Sequence, residues 1–203
     1  MNEMTCPADV GELSALSPRE RLIRAATHLF CANGIAATGV DAVLREAGVA
    51  KMTLYKVFGS KDRLVEAVLE TEGRRWRDWF LPALMDGPEG PREKLDRIFP
   101  LLRQWFERDD FYGCPFINAV GEHDKNDPRL RELALRHKSA LLATVSQLAT
   151  DAGADNPASL AHQIGLLIDG AIVAVMITRD PSLAEVAADA CGAIVDRALR
   201  TAH

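Results

Sequence analysis

Cysteine is scarce in this chain of 203 residues, and the four present (Cys6, Cys31, Cys114 and Cys191) are scattered without a CxxC pair. That spacing argues against a disulfide framework and against a zinc module. Basic residues are missing from the first sixteen positions, which carry Glu3, Asp9 and Glu12 instead, so no secretory leader is expected there. Long apolar runs are missing too. The most apolar stretch, 165–178, is interrupted by Asp169 and falls short of the roughly 20 residues a membrane-spanning helix needs. No Ser/His/Asp set, glycine-rich phosphate loop or paired-carboxylate motif is evident, which counts against an enzyme. No cofactor and no metal are expected: Glu122, His123, Asp124 and Asp127 fit no defined ligand spacing. Alternating runs of Val, Ile and Thr are also lacking, so the chain leans towards an all-α protein, and with neither a leader nor a membrane span expected it is read as cytoplasmic.

What is present is unevenly placed. Apolar residues make up 48% and charged residues 26%, an ordinary globular balance. A chain of this length buries about 70% of its unfolded surface, enough for one large domain or a small one joined to a medium one. The net charge is −5. Between Ser17 and Arg63, however, eight bases (Arg19, Arg21, Arg24, Arg45, Lys51, Lys56, Lys61, Arg63) face four acids (Glu20, Asp41, Glu46, Asp62), a local +4 that leaves −9 on the remainder. A basic segment attracts phosphates. An acidic body behind it favours approach through the N-terminal face alone.

Helix signals recur from Ser17 to the end. Ser17-Pro18-Arg19-Glu20 reads as a capping box with Pro at the first helical position. Leu22, Ile23, Ala26, Leu29 and Phe30 follow at helical spacing, and Asn33-Gly34 ends the helix. Thr38 is the expected cap of a short helix from Val40 to Ala47, with Val40, Val43, Leu44 and Ala47 facing a core. Gly48 makes the turn into a second short helix, about Lys51 to Phe58. Ser60 caps a long helix that starts at Lys61 and runs to about Leu84. After a loop, helices are predicted over 92–108, 115–122, 128–152, 157–179 and 182–201, about nine in all.

Two short helices joined by a tight glycine turn form a helix-turn-helix pattern. The second helix must pack one face inward and present the other to a major groove. Leu54 and Phe58 lie at i and i+4 and pack inward, with Val49 sealing the turn. Lys51, Met52, Thr53, Tyr55 and Lys56 are left outside, and ammonium, hydroxyl and methyl groups suit phosphates, base edges and thymine. The helix starts at Thr38-Gly39-Val40 and Ser60-Lys61 add amide sites for phosphate, and Arg45 on the first short helix is within reach of DNA.

On these residues the segment resembles the DNA-binding domain of the TetR family of transcriptional regulators. Ala37-Thr38-Gly39-Val40-Asp41-Ala42-Val43-Leu44-Arg45-Glu46-Ala47-Gly48-Val49 is similar to the family's first half, and Lys51-Met52-Thr53-Leu54-Tyr55-Lys56-Val57-Phe58-Gly59-Ser60-Lys61 to its recognition helix and the start of the next. The resemblance implies that Tyr55 and Lys61 bind phosphates and that Lys51, Thr53 and Lys56 lie at or near bases. Ala50, Met52 and Gly59 depart from the family pattern, where Ser, a small residue and Pro are common.

The resemblance further implies a flexible tail at 1–16, a DNA-binding domain at 17–63 and an all-helical effector-binding and dimerisation domain at 64–203. The boundary falls within the long helix. The last two helices carry broad apolar stripes, Leu160 to Met176 and Leu183 to Leu199, which suit a homodimer interface across two chains. Such a dimer would read a palindromic operator. Aromatics concentrate between 76 and 123, so effector contacts are expected among Trp76, Trp79, Trp105, Phe106, Phe111, Tyr112, Cys114 and Phe116, with polar groups from Asn118, His123, His137 and Asp169. Cys114, near a helix start in Gly113-Cys114-Pro115-Phe116-Ile117-Asn118, is either a buried small residue or a reactive thiol. The expected function is a repressor released from its operator by a small molecule. The alternatives are a redox or electrophile sensor acting through Cys114, and a helical binding protein without a DNA function.

Overall fold

The computed structural model describes residues 16–87, 90–122 and 128–200. The expected N-terminal tail lies, apart from Leu16, outside the described residues, as does His123. Ten helical segments and no strand occur among the described residues, so the all-α expectation holds.

Local signals account for most helix ends. The Ser17 hydroxyl accepts from the Glu20 amide (3.3 Å), and the Glu20 carboxylate accepts from the Ser17 amide (2.8 Å). This box starts α1 at Pro18–Asn33, and the Ser17 hydroxyl (2.6 Å) and then the Ser17 amide, both donating to the Glu20 carboxylate, hold that carboxyl below its ordinary range. Helix α2 spans Val40–Ala47 and ends at Gly48 with left-handed backbone; α3 spans Lys51–Phe58 and α4 spans Lys61–Met85. Ser60 caps α4 as expected, its hydroxyl accepting from the Arg63 amide at 3.2 Å. The cap of α2 differs from expectation. Gly39, not Thr38, occupies the N-cap and makes no side-chain bond. Thr38 is turned inward instead, because its hydroxyl finds the Gly34 carbonyl at 2.7 Å and the Leu29 carbonyl at 3.2 Å.

The helix predicted over 92–108 is divided into α5 (Pro91–Asp96) and α6 (Ile98–Phe106). Pro100 explains the break: it offers no amide to the carbonyl of Asp96 and its ring crowds that carbonyl. Arg97 sits at the junction, and its guanidinium donates to the Ala83 carbonyl at 2.9 Å and to the Asp86 carbonyl, capping the end of α4. Beyond it lie α7 (Pro115–Glu122), α8 (Pro128–Asp151), α9 (Pro157–Thr178) and α10 (Leu183–Arg200). Asn156 caps α9 by accepting from the Ser159 amide at 3.0 Å.

The chain forms two compact units: the segment up to Trp76 with Pro115–Leu135, and Arg77–Cys114 with the segment from Arg136. In the first, Leu22, Leu54 and Leu64 are fully buried. Its α1–α2 loop is held by three side chains: Thr38, Lys61 and Glu122, whose carboxylate accepts from the Ala36 amide at 2.9 Å. In the second unit, Phe80, Phe99, Leu102, Leu160 and Ile164 are fully buried, and α9 packs against α6 and α10. Helix α9 is longer than the apolar stretch singled out in the sequence, and by length and composition alone it suffices to cross a membrane. Seven of its apolar residues are buried and Asp169 is ion-paired with Lys138 of α8, while Leu166 and Ile177 are exposed.

Candidate functional site

The recognition helix α3 is divided between a buried anchor and an outward set. Leu54 is fully buried, and Phe58 is half-buried beneath the Arg19 guanidinium, 5.6 Å from the ring centre. Lys51, Met52, Tyr55 and Lys56 all point to solvent; Met52 is 77% exposed and Tyr55 43%. An apolar side chain so exposed beside two ammonium groups and a phenol is poor surface for water but suits a groove lined with methyls and phosphates. Thr53 is half-buried, and Arg45 is exposed on α2. Asp41, at the start of α2, approaches Lys51 at 3.9 Å with both ends in solvent, a weak pair.

Two residues expected to meet DNA are engaged elsewhere. Thr38 is only 3% exposed, and both its acceptors are internal carbonyls, so its side chain does not reach a phosphate. The Lys61 ammonium donates to the Ile35 carbonyl at 2.7 Å. A phosphate would have to compete with that bond, so Lys61 acts first as a brace of the α1–α2 loop. The Lys61 bond has no local signal in the sequence, since it spans 26 residues, whereas the Thr38 bond to Gly34 closes within the α1–α2 loop, four residues back.

The expected effector residues are divided between the units. Trp76, Phe116 and Asn118 belong to the first; Trp79, Trp105, Phe106, Phe111, Tyr112, Cys114, His137 and Asp169 belong to the second. Three of the aromatics pack on one another. Phe111 meets Trp105 edge-on at 5.0 Å between centres and Phe106 at 5.1 Å, which spends their surface on each other as core rings do. Cys114 is a buried thiol, unlike the accessible cysteines that react with oxidants. Burial, with the Asp96 charge nearby, pushes the Cys191 thiol up to about 12, so it stays protonated.

His137 and Asp169 enter a polar group with two residues that no sequence pattern singled out. The Arg77 guanidinium of α4 donates to Nδ1 of His137 at 2.9 Å, and Lys138 pairs with Asp169. Burial first, then the charges of Arg77 and Lys138, push His137 down from 6.5 to about 4. Between these values the unfolded chain binds the proton and the folded chain refuses it. Stability from this site is therefore complete above pH 6.5 and is lost as the pH falls towards 4. The loss should reach up to about 3 kcal/mol. It should show as a steeper fall of the urea midpoint over that range in the parent than in His137→Gln; parallel curves would contradict it.

Known proteins share both parts of this arrangement. Residues 22–68 match the model for bacterial regulatory proteins of the tetR family, and residues 91–191 match a tetracyclin repressor-like C-terminal domain. The HTH-type transcriptional regulator YjdC of Escherichia coli is 23% identical over 161 residues, 79% of this chain and 84% of its own. The repressor KstR2 of Mycolicibacterium smegmatis is 34% identical over 86 residues, 41% of this chain and 40% of its own. Among solved structures, SCO4454 of Streptomyces coelicolor, a TetR-family transcriptional regulator, superposes with a TM-score of 0.81 at 29% identity, covering 90% of this chain and 96% of its own. A putative TetR transcriptional regulator of Streptomyces avermitilis reaches 0.73 at 31% identity, covering 87% and 98%.

Proposed function

This chain belongs to the TetR family of bacterial regulatory proteins, and from that premise we propose that it represses transcription by binding an operator through α3 and lets go when a small molecule binds its second unit. It is a DNA-binding regulator and not an enzyme. The observation that carries the reading is the outward set of α3: Lys51, Met52, Tyr55 and Lys56 exposed on a helix whose Leu54 is fully buried. Tyr55 and Lys56 hold phosphates, while Lys51, Met52 and Thr53 meet base edges. The repressor mode is supported by the partial likeness to KstR2. A regulator of this kind acts where its operator lies, in the cytoplasm.

The protein works as a homodimer through α9 and α10. Leu166 (73% exposed), Gly170 and Ile177 (71%) share one face of α9, and Val186 (64%), Ala190 and Ala193 share one face of α10. Apolar faces of that extent call for cover. A two-fold dimer reads a palindromic site with half-sites about 34–36 Å apart. Helix α4 is the continuous link, contributing residues up to Trp76 to the first unit and from Arg77 to the second. An effector shifts DNA affinity through it only by binding the two states unequally.

A salt-titrated mobility-shift assay on an operator selected from random duplexes tests the reading. Binding should weaken steeply with salt. Tyr55→Phe should weaken it on all sequences alike, and Lys56→Ala should lower the slope of log K against log salt by about 2, one phosphate contact in each subunit. Failure to bind any duplex would overturn the proposal.

A further inference from the structure

The second unit holds a half-buried arginine whose partner is not an acid. Nη1 of Arg77 donates to Nδ1 of His137 at 2.9 Å. A guanidinium cannot accept, so Nδ1 is the acceptor and the ring proton sits on Nε2. The imidazole is neutral at pH 7 and offsets none of the arginine's charge. Lys138, the next residue on α8, is paired with Asp169, which leaves the charge of Arg77 uncompensated in this cluster. Elsewhere in this unit Arg197 donates to the Gln163 amide oxygen at 3.2 Å. Arg92, Arg103 and Arg108 pair with carboxylates, and Arg97 and Arg179 cap backbone carbonyls. No carboxylate among the described residues pairs with Arg77. A partly desolvated cation without a counter-charge is costly, and an anion that docks on it repays that cost.

We propose that Arg77 is the anchor for an organic carboxylate, the charged end of the small molecule that this regulator senses. The inference rests on the reading of the second unit as an effector domain. The bond to His137 occupies Nη1 and leaves Nε and Nη2, the edge of the guanidinium that grips a carboxylate with two parallel hydrogen bonds. A monoanion matches the single uncompensated charge, whereas a phosphate dianion overfills it. His137 is a positioning residue: a neutral ring that aims the guanidinium without neutralising it.

The test uses the full chain with 13C-labelled histidine rings, the His137 resonance being identified by its loss in His137→Gln. Benzoate should move that resonance saturably, while benzamide and inorganic phosphate should leave it in place. Arg77→Met, which keeps the packing of the stem, should abolish the response, and Arg77→Lys, which keeps the charge but not the fork, should weaken it. Thermal melts of both variants establish that they fold. No response to benzoate, an equal response to benzamide, a stronger one to phosphate, or an undiminished one in Arg77→Met would each overturn the proposal. Operator release is read in parallel. If benzoate moves His137 but never releases DNA, the carboxylate site is upheld and the effector reading fails. If uncharged ligands release DNA from the parent and from Arg77→Met alike while benzoate leaves His137 unmoved, the regulator stands and the anchor falls.

Discussion

Leu166→Asp combined with Ile177→Asp should leave the protein a monomer that holds its operator at least about a hundredfold more weakly than the parent. Both side chains are more than two-thirds exposed on one face of α9, eleven residues apart and so about three turns apart on the same stripe. Covering each in a dimer is worth roughly 1.5–3 kcal/mol, and two-fold symmetry counts each twice. Aspartate at these positions removes that gain and adds a charge to be buried. Neither residue packs in the core of its own chain, so the isolated subunit should keep its fold. The DNA penalty follows from geometry: one subunit grips one half-site, and the second half-site no longer binds as an intramolecular event. Light scattering gives the mass and a mobility shift gives the affinity. A double variant that remains a dimer would remove α9 from the interface.

Gly34→Ala should cost the first unit about 2–5 kcal/mol, combining a strained backbone with a displaced carboxylate. Gly34 has φ +85° and ψ 157°, a region that L side chains avoid. A Cβ there would stand 3.1 Å from Oε2 of Glu122, the same oxygen that accepts from the Ala36 amide. The loop therefore relaxes its backbone or gives up its Glu122 bond, and either course disturbs the entry to α2. Because α2 supports α3, DNA affinity should fall together with the melting temperature. Glu122→Gln separates the two causes. It keeps an acceptor for Ala36 and leaves the backbone unstrained, so it should cost less than Gly34→Ala. A melting temperature unchanged in Gly34→Ala would sink the account.

The helix-turn-helix was legible because its signals are local. A capping box, a left-handed Gly48 and an i to i+4 pair of apolar residues each act within about one helical turn. The outward face of α3 follows from the same periodicity once Leu54 is known to point in. Thr38 was misplaced for a related reason. A threonine before a helix reads as a cap, yet the Gly34 and Leu29 carbonyls lie close enough to take its hydroxyl. The break at Arg97 was open to view in Pro100, whose missing amide interrupts the ladder regardless of tertiary context. In the second unit, aromatic density suggested a cavity, while the packing of Phe111 against Trp105 and Phe106 makes part of that density a core.

By itself the sequence determined the all-helical class, the place of nearly every helix, the basic head and the buried faces, since hydrogen-bonded turns and side-chain periodicity are short-range. Only the tertiary structure decided which polar groups were already spent. Lys61 reaches a carbonyl 26 residues away, Arg77 a ring 60 away and Glu122 an amide 86 away. Such partners are chosen by where packed helices bring them. Burial then makes each choice costly to undo, because a desolvated donor or acceptor must be satisfied by whatever lies within about 3 Å.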